Sequence, residues 1–179
     1  MTKWKFDPVH SSAEFSVRHL GISWVRGRFT DVSGNAEFEP DNMEKSSWHA
    51  QIEAKSIWTG NDMRDNHLRS KDFFDAENNP KITFESTNIE KAENGKFKIT
   101  GDLTMRGVTK QVTLDVEYLG VHEIPSADGK ASTTKAGFSA KTTVNRHDFE
   151  INWDAPAGNG VTTVGGEVDI TINIEATKE

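Results

Sequence analysis

The sequence has no cysteine, no long apolar run and no cluster of basic residues, and each absence excludes a class of protein. Without cysteine there is neither a disulfide framework nor a thiolate nucleophile. No stretch reaches the roughly 18 apolar residues that cross a bilayer, and no secretory signal precedes the first strand. We therefore expect a cytoplasmic protein, or a periplasmic one if a signal has been removed. The net charge of −7 and the scattered basic residues disfavour nucleic acids and anionic membranes as partners.

Hydrophobic residues are also scarce, at 34% of the 179 residues, and they are placed with a regular period. The length suits one domain, residues 1–179, with a sizeable core. Alternation of apolar and polar residues predicts about eight strands joined mostly by short turns. They cover residues 13–20, 23–38, 48–58, 81–90, 96–106, 108–119, 134–145 and 162–176. One face of each strand is apolar, which is typical of antiparallel sheets with one buried face.

Eight such strands form either a sandwich or an up-and-down barrel. Several of them run for about 10 residues, or roughly 33 Å at about 3.3 Å per residue, which favours the barrel. The apolar faces include many small residues, so a barrel would enclose a ligand cavity unless large side chains fill it. Within the second strand, Ser33-Gly34-Asn35 predicts a bulge or bend.

Residues 56–80, between the third and fourth strands, form the one segment that does not alternate. Asn61 is placed to cap a short helix over residues 61–70, and Asp62 and Asp65 suit its first turns. The aromatic pair Phe73-Phe74 follows. We expect this segment to close one end of the barrel, with Arg64 and Asp65 fastening the helix rather than contacting a ligand.

Catalytic and metal motifs are weak. None of the six histidines has a metal-ligand spacing, although His10, His19 and His67 could converge in space. Ser11 follows His10, but no nucleophile-elbow motif surrounds it. We therefore predict neither a metal site nor a catalytic centre, while an enzyme that uses His19 or His67 as acid and base stays an alternative.

From its first strand to its last, the chain carries a series of motifs in one order. They are Asp7-Pro8-Val9-His10-Ser11, Phe15-Ser16-Val17-Arg18-His19, Gly27-Arg28-Phe29, Ser56-Ile57-Trp58-Thr59, Met63-Arg64-Asp65-Asn66-His67-Leu68, Asp72-Phe73-Phe74-Asp75, Pro80-Lys81-Ile82-Thr83-Phe84-Glu85-Ser86, Gly101-Asp102-Leu103-Thr104-Met105-Arg106-Gly107-Val108-Thr109-Lys110 and Asn145-Arg146-His147-Asp148-Phe149. Together they resemble the YceI-like family over essentially the whole chain. The family often has glycine after the Asp-Phe of the last motif, where this chain has Glu150, so the backbone and charge there are expected to differ.

The resemblance implies a mainly β protein: an eight-stranded antiparallel, lipocalin-like barrel with a short helix, which binds a long amphiphilic lipid such as a polyisoprenoid. We expect the ligand to be a polyisoprenoid, an isoprenoid quinone or a quinone precursor, which the barrel stores or transports. The resemblance implies no cofactor other than the bound lipid, and a homodimer has to be considered. The expected ligand-binding residues lie on the inward faces and at the mouth. They are Phe15, Val17, His19, Ile52, Trp58, Met63, His67, Leu68, Phe73, Phe74, Phe84, Leu103, Leu114, Phe138, Val144 and Trp153.

The charge of the lipid head follows from the composition. A pyrophosphate head would need local cations, and five arginines are available: Arg18, Arg26, Arg28, Arg64 and Arg146. The net charge of −7 favours a neutral or weakly charged head instead, such as a quinone, an alcohol or an amide. A ligand-free barrel that acts as a stress or interaction protein stays a further alternative.

Overall fold

The computed structural model describes residues 1–179 and consists of eleven strands, one α-helix and short 3-10 turns. The strands are β1 (Thr2–Phe6), β2 (Ser12–His19), β3 (Ser23–Phe29), β4 (Val32–Phe38), β5 (Ser47–Glu53), β6 (Ile57–Trp58), β7 (Lys81–Lys91), β8 (Lys96–Met105), β9 (Val108–Pro125), β10 (Ser132–Asn145) and β11 (Val164–Lys178). The helix α1 spans Asp62–Arg69. None of the helices has the length and apolar character that crossing a membrane requires.

The sheet closes on itself as an eight-stranded antiparallel barrel, as predicted. Its strand order is β1-β4-β5-β7-β8-β9-β10-β11, and β11 returns to pair with β1. The long strand β11 also pairs with β2 through its first half, and β2 pairs with β3. Because β1 and β2 lie one after the other along β11, they form two halves of one long strand, and β4 and β3 do the same beside them.

The predicted second strand is interrupted at Thr30 and Asp31, not at Ser33-Gly34-Asn35. The position predicted for the bend was therefore wrong. Gly34 lies inside β4, where a Cβ would come within 2.4 Å of the Phe6 ring and of the His49 carbonyl oxygen. The glycine therefore serves the close packing of Phe6 rather than a bend.

The predicted third strand also ends early, at Glu53, and a 3-10 turn over Ala54–Ser56 separates it from β6. That turn changes the phase of the alternation. As a result Ile57 is fully buried, while Trp58 faces outward with half of its surface exposed. A break of three residues is enough to exchange the inner and outer faces of the strand that follows.

The buried side chains form two clusters, one in each half of the barrel. In the half around β1 and β4, Trp4 stacks on Phe38 at 4.5 Å between ring centroids, and Phe138 meets Trp48 edge to face at 4.7 Å. The other half, around β2 and β3, includes Phe29, Ile57, Phe73 and Phe149. The aromatic stacking packs the first half tightly, and the second half contains the non-strand segment that follows β6.

Candidate functional site

The barrel encloses a cavity of about 220 Å³, whose wall draws on both clusters. Of the 33 residues that line it, 29 are hydrophobic. The other four are Glu14, Thr83, Thr142 and Arg146. Such a wall suits an apolar ligand, because a bound molecule finds almost no polar groups to pair with.

Most of the predicted ligand-binding residues line this cavity. They are Phe15, Val17, Ile52, Leu68, Phe73, Phe74, Phe84, Leu103, Leu114, Phe138 and Val144. Eight of these eleven come from the inward faces of strands, where the period-2 alternation is reliable. Leu68, Phe73 and Phe74 come from the segment between β6 and β7.

Trp58, Met63 and His19 do not line the cavity, and the predicted inward placement of Trp58 and Met63 was wrong. Trp58 is turned outward by the 3-10 turn that precedes it, as described above. Met63 lies in the first turn of α1 with 84% of its surface exposed, because the helix presents Asp65 to the interior instead. His19 is half-buried as the last residue of β2, paired with Ser23 and Val164.

His67 and Trp153 lie behind the cavity wall rather than in it. His67 meets Phe73 edge to face at 5.0 Å and Trp153 at 4.6 Å, and its Nε2 lies 2.8 Å from a carboxylate oxygen of Asp72. Both side chains therefore pack against Phe73 from outside the cavity. Neither lines the cavity, although both were predicted to do so.

Among the cavity-lining residues absent from the predicted set, β11 supplies more than any other strand. They include Val164, Val168, Ile170, Ile172 and Ile174. The signal for them was present, since this stretch has the longest apolar alternation in the chain. It pairs with β10 on one side and with β1 and β2 on the other, so it is part of the wall on both sides. A local sequence pattern does not reveal these pairings.

The helix α1 is fastened at its first turns through Thr59 and at its end through Arg69, which donates to the carbonyls of Lys55 and Ile57. Asn61 caps the helix by accepting a hydrogen bond of 2.9 Å from the Arg64 amide. The carboxylate of Asp65, which is almost fully buried, accepts bonds from the Thr59 amide and hydroxyl. Arg64 donates to the Thr59 hydroxyl and carbonyl oxygens. The predicted structural role of Arg64 and Asp65 is confirmed, and neither charge faces the cavity.

A second attachment joins the same segment to the β8–β9 turn. Arg106 donates to the carbonyl of Lys71 at 2.7 Å and to the carbonyl of Glu150. Glu150 has a φ of 60°, in the left-handed region that glycine adopts without strain. This geometry would suit a glycine, and here the strained backbone carries a glutamate.

Arg146 is a buried cation that bonds only to backbone carbonyls. Its guanidinium donates to Gly165, Ile151, Trp153 and Val164 at 2.7 to 3.1 Å. Burial lowers the pKa of this guanidinium, and the nearby charge of Asp154 opposes that effect. Since four carbonyls take up the donors, Arg146 ties β11 to the loop after Phe149 and offers little to a charged ligand head.

Asp7, His10 and Glu175 are the one group of side chains close enough together to hold a metal ion. They lie outside the cavity wall, and His19 and His67 do not belong to the group. The Lys135 ammonium lies 2.9 Å from Asp7 and also contacts Glu175, which places a cation between the two carboxylates. The bonds from Lys135 and His10 hold the pKa of Asp7 well below its ordinary value. The group, together with Lys135, therefore forms an ion-pair cluster that joins the β1–β2 loop to β10 and β11.

Comparisons with known proteins agree with this fold. The family model described as "YceI-like domain" matches residues 4–176. A UPF0312 protein of Staphylococcus aureus is 38% identical over 175 residues, covering 98% of this chain and 97% of its own. The crystal structure of a Campylobacter jejuni YCEI protein superposes with a TM-score of 0.74 at 35% identity, covering 90% of each chain. A Saccharophagus degradans structure described as a polyisoprenoid binding domain has a TM-score of 0.68 at 14% identity over all of both chains. The chain belongs to the YceI-like family.

Proposed function

We propose that this protein binds a long-chain lipid of the isoprenoid type in the barrel cavity and stores or carries it. The observation that supports this most strongly is the cavity wall, in which 29 of 33 residues are hydrophobic. The fold shared with a structure described as a polyisoprenoid binding domain also supports it. Each buried CH₂ group contributes about 0.8 kcal/mol, so ten carbons bind tightly without any strong contact to the head group.

The polar groups of the wall favour a lipid with a neutral head. Arg146 is engaged with four carbonyls, and Thr142 donates to the carbonyl of Thr113 at 2.9 Å. Glu14 accepts from the hydroxyl of Ser12 on the exposed side of β2. A pyrophosphate inside the barrel would lack free cations, and burying unpaired charge is costly. A quinone, an alcohol or an amide therefore suits the interior better.

The size of the cavity adds a requirement. Its volume of about 220 Å³ lies below the roughly 300–1,000 Å³ of typical ligand pockets. A long chain therefore needs the cavity to widen. The strands of the wall are held by backbone ladders, whereas Leu68, Phe73 and Phe74 belong to a segment outside them. We propose that these three side chains move to admit the ligand, since side-chain hydrogen bonds rather than a backbone ladder join their segment to the strands, and such a segment opens at lower cost.

Catalysis in the same cavity has weaker support than binding. The two histidines that could act as acid and base, His19 and His67, lie outside the cavity lining. No serine or histidine lines it. If His19→Gln and His67→Gln variants hydrolyse lipid esters as the parent does, the enzyme alternative loses its remaining basis.

The direct test is to identify what the protein retains. Protein purified without detergent would be extracted with organic solvent and analysed by mass spectrometry, with uptake of a fluorescent isoprenoid alcohol measured in parallel. We expect a co-purified isoprenoid and saturable uptake. An empty barrel that also fails to take up the alcohol would refute the proposal and favour a ligand-free interaction protein.

A further inference from the structure

One outer face of the barrel carries arginine and tryptophan side chains side by side. The strand register places Arg18 opposite Trp24, and Arg28 opposite Trp58, with Arg26 between Trp24 and Arg28 on β3. These five residues, here called the Arg-Trp face, come from β2, β3 and β6. The separation of its members along the sequence is up to 40 residues, so no basic cluster is visible in the sequence itself.

The charges of this face are not neutralised within the protein. The Arg18 guanidinium lies 4.2 Å from the ring centroid of Trp24, and that of Arg28 lies 5.3 Å from Trp58. None of the three arginines takes part in an ion pair. Two carboxylates adjoin the three arginines, since Glu14 is opposite Arg28 and Asp169 is opposite Ser16, and neither forms an ion pair with them. A local positive surface therefore exists on a protein whose net charge is −7.

This face flanks the part of the barrel wall that strands do not close. Residues Ser23 to Gly27 of β3 pair with β2 alone, since β6 reaches only Arg28 and Phe29. Beyond that edge the wall is made by the segment that follows β6. A Cβ at Gly27 would lie 2.8 Å from the Thr59 methyl group, and Phe74 meets Phe29 edge to face at 5.6 Å. The same segment supplies the cavity-lining side chains that we propose to move.

Exposed apolar surface adjoins the charges. Trp24 and Trp58 are 39% and 50% exposed, and Ile22, in the β2–β3 turn, is 82% exposed. Tryptophan is enriched where protein meets the head-group region of a bilayer, and arginine is attracted to anionic lipids. An exposed isoleucine at the tip of a turn can enter the acyl layer at little cost. The composition of this face is therefore that of a membrane-interface surface.

We propose that the Arg-Trp face docks on an anionic lipid bilayer and that the barrel exchanges its lipid there, through the side closed by the segment after β6. This inference rests on the proposed lipid binding, because a water-insoluble chain has to be collected from a membrane. Single-stranded nucleic acid is the other partner that arginine and aromatic residues suit. It fits less well, since a guanidinium already covers one face of Trp24 and of Trp58, and stacking on a base needs a free aromatic face.

The test is flotation with vesicles of phosphatidylcholine, with or without phosphatidylglycerol. We expect the parent to bind only the anionic vesicles and to be released by salt. Each arginine near an anionic surface contributes about fivefold to binding, so Arg18→Gln/Arg26→Gln/Arg28→Gln should weaken it about 100-fold. The matched control is Lys91→Gln/Lys96→Gln/Lys110→Gln. It removes the same charge from exposed positions of β7, β8 and β9, across the barrel, and should bind like the parent.

A second variant keeps the test decisive if the triple arginine variant fails to fold. Ile22→Asp changes only an exposed turn residue and should also weaken vesicle binding. Parent protein that ignores anionic vesicles, or equal losses in the arginine and lysine variants, would overturn the proposal. So would tighter binding of a single-stranded oligonucleotide than of vesicles. Lipid extraction separates the two proposals, since a barrel that retains isoprenoid but ignores vesicles refutes only the docking.

Discussion

Ala140 offers the sharpest test of a ligand inside the barrel, because one added ring would occupy the space that the ligand needs. It is buried in the middle of β10, between partners Val116 on β9 and Ile172 on β11, and its side chain lines the cavity. Ala140→Phe directs a six-carbon ring into a space of about 220 Å³. Because space is available, we expect the free energy of unfolding to change by no more than about 1 kcal/mol.

The effect on binding should be much larger. If the ring excludes only four carbons of the ligand, about 3 kcal/mol of binding free energy is lost at roughly 0.8 kcal/mol per CH₂ group. That loss raises Kd by more than about 100-fold. The assay is titration with a fluorescent isoprenoid alcohol, with circular dichroism and urea unfolding to establish that the variant is folded.

Ser139→Phe is the matched control for this prediction. Ser139 precedes Ala140 on the same strand and faces the other side of the sheet, so the same ring is added outside the cavity. We expect this control to keep the affinity of the parent. A folded Ala140→Phe variant that binds as tightly as the control would show that the ligand, if any, lies elsewhere.

Four further predictions concern stability and the segments that close the barrel. Phe73→Ala removes a buried ring of the cavity wall, so it should lower the free energy of unfolding, measured with urea, by about 3–5 kcal/mol and speed the loss of lipid. A variant unchanged in both would show that the segment is only a linker. Arg146→Met leaves four carbonyls without their donor and should lower the free energy of unfolding by at least about 3 kcal/mol in the same urea measurement. Stability equal to that of the parent would contradict the structural role of Arg146. Glu150→Gly should raise stability by about 1 kcal/mol, because glycine adopts the φ of 60° without strain, and a lower urea midpoint would refute this. The pKa of Asp7 is held low by Lys135, so its stabilisation is present above the ordinary carboxyl pKa of about 4 and is lost as the pH falls below it. Asp7→Asn should therefore lower Tm at pH 7, and its difference from the parent should shrink below about pH 4; a constant difference would exclude the charge as the cause.

The alternation of apolar and polar residues was sufficient to predict the barrel and much of its lining. Phe15 and Val17 on β2, and Phe138 and Val144 on β10, face inward because successive side chains of a strand point to opposite faces. The cap at Asn61 was equally readable, since it depends only on residues within one turn of the helix. These features are local, and a sequence records local geometry directly.

Prediction failed at two places in particular. At β6 a short break shifted the alternation of inward and outward side chains, and on α1 the buried side of the helix was not the apolar one. The turn over Ala54–Ser56 exposes Trp58 and buries Ile57, although an unbroken strand would do the reverse. On α1, Asp65 rather than Met63 is buried, because its carboxylate pairs with Thr59. On α1 two hydrogen bonds to one carboxylate therefore outweigh the hydrophobic pattern.

By itself the sequence determined the fold class, the family and the apolar character of the interior, since these follow from periodicity and from motifs along the chain. Only the tertiary structure decided how large the cavity is, which segment closes it, and where the charges gather. Arg18, Arg26 and Arg28 look scattered in a chain of net charge −7, yet the pairing of β2 with β3 brings them onto one surface. The reason is physical: strand register and barrel closure join residues that are distant in sequence, and electrostatic and packing energies depend on distance in space.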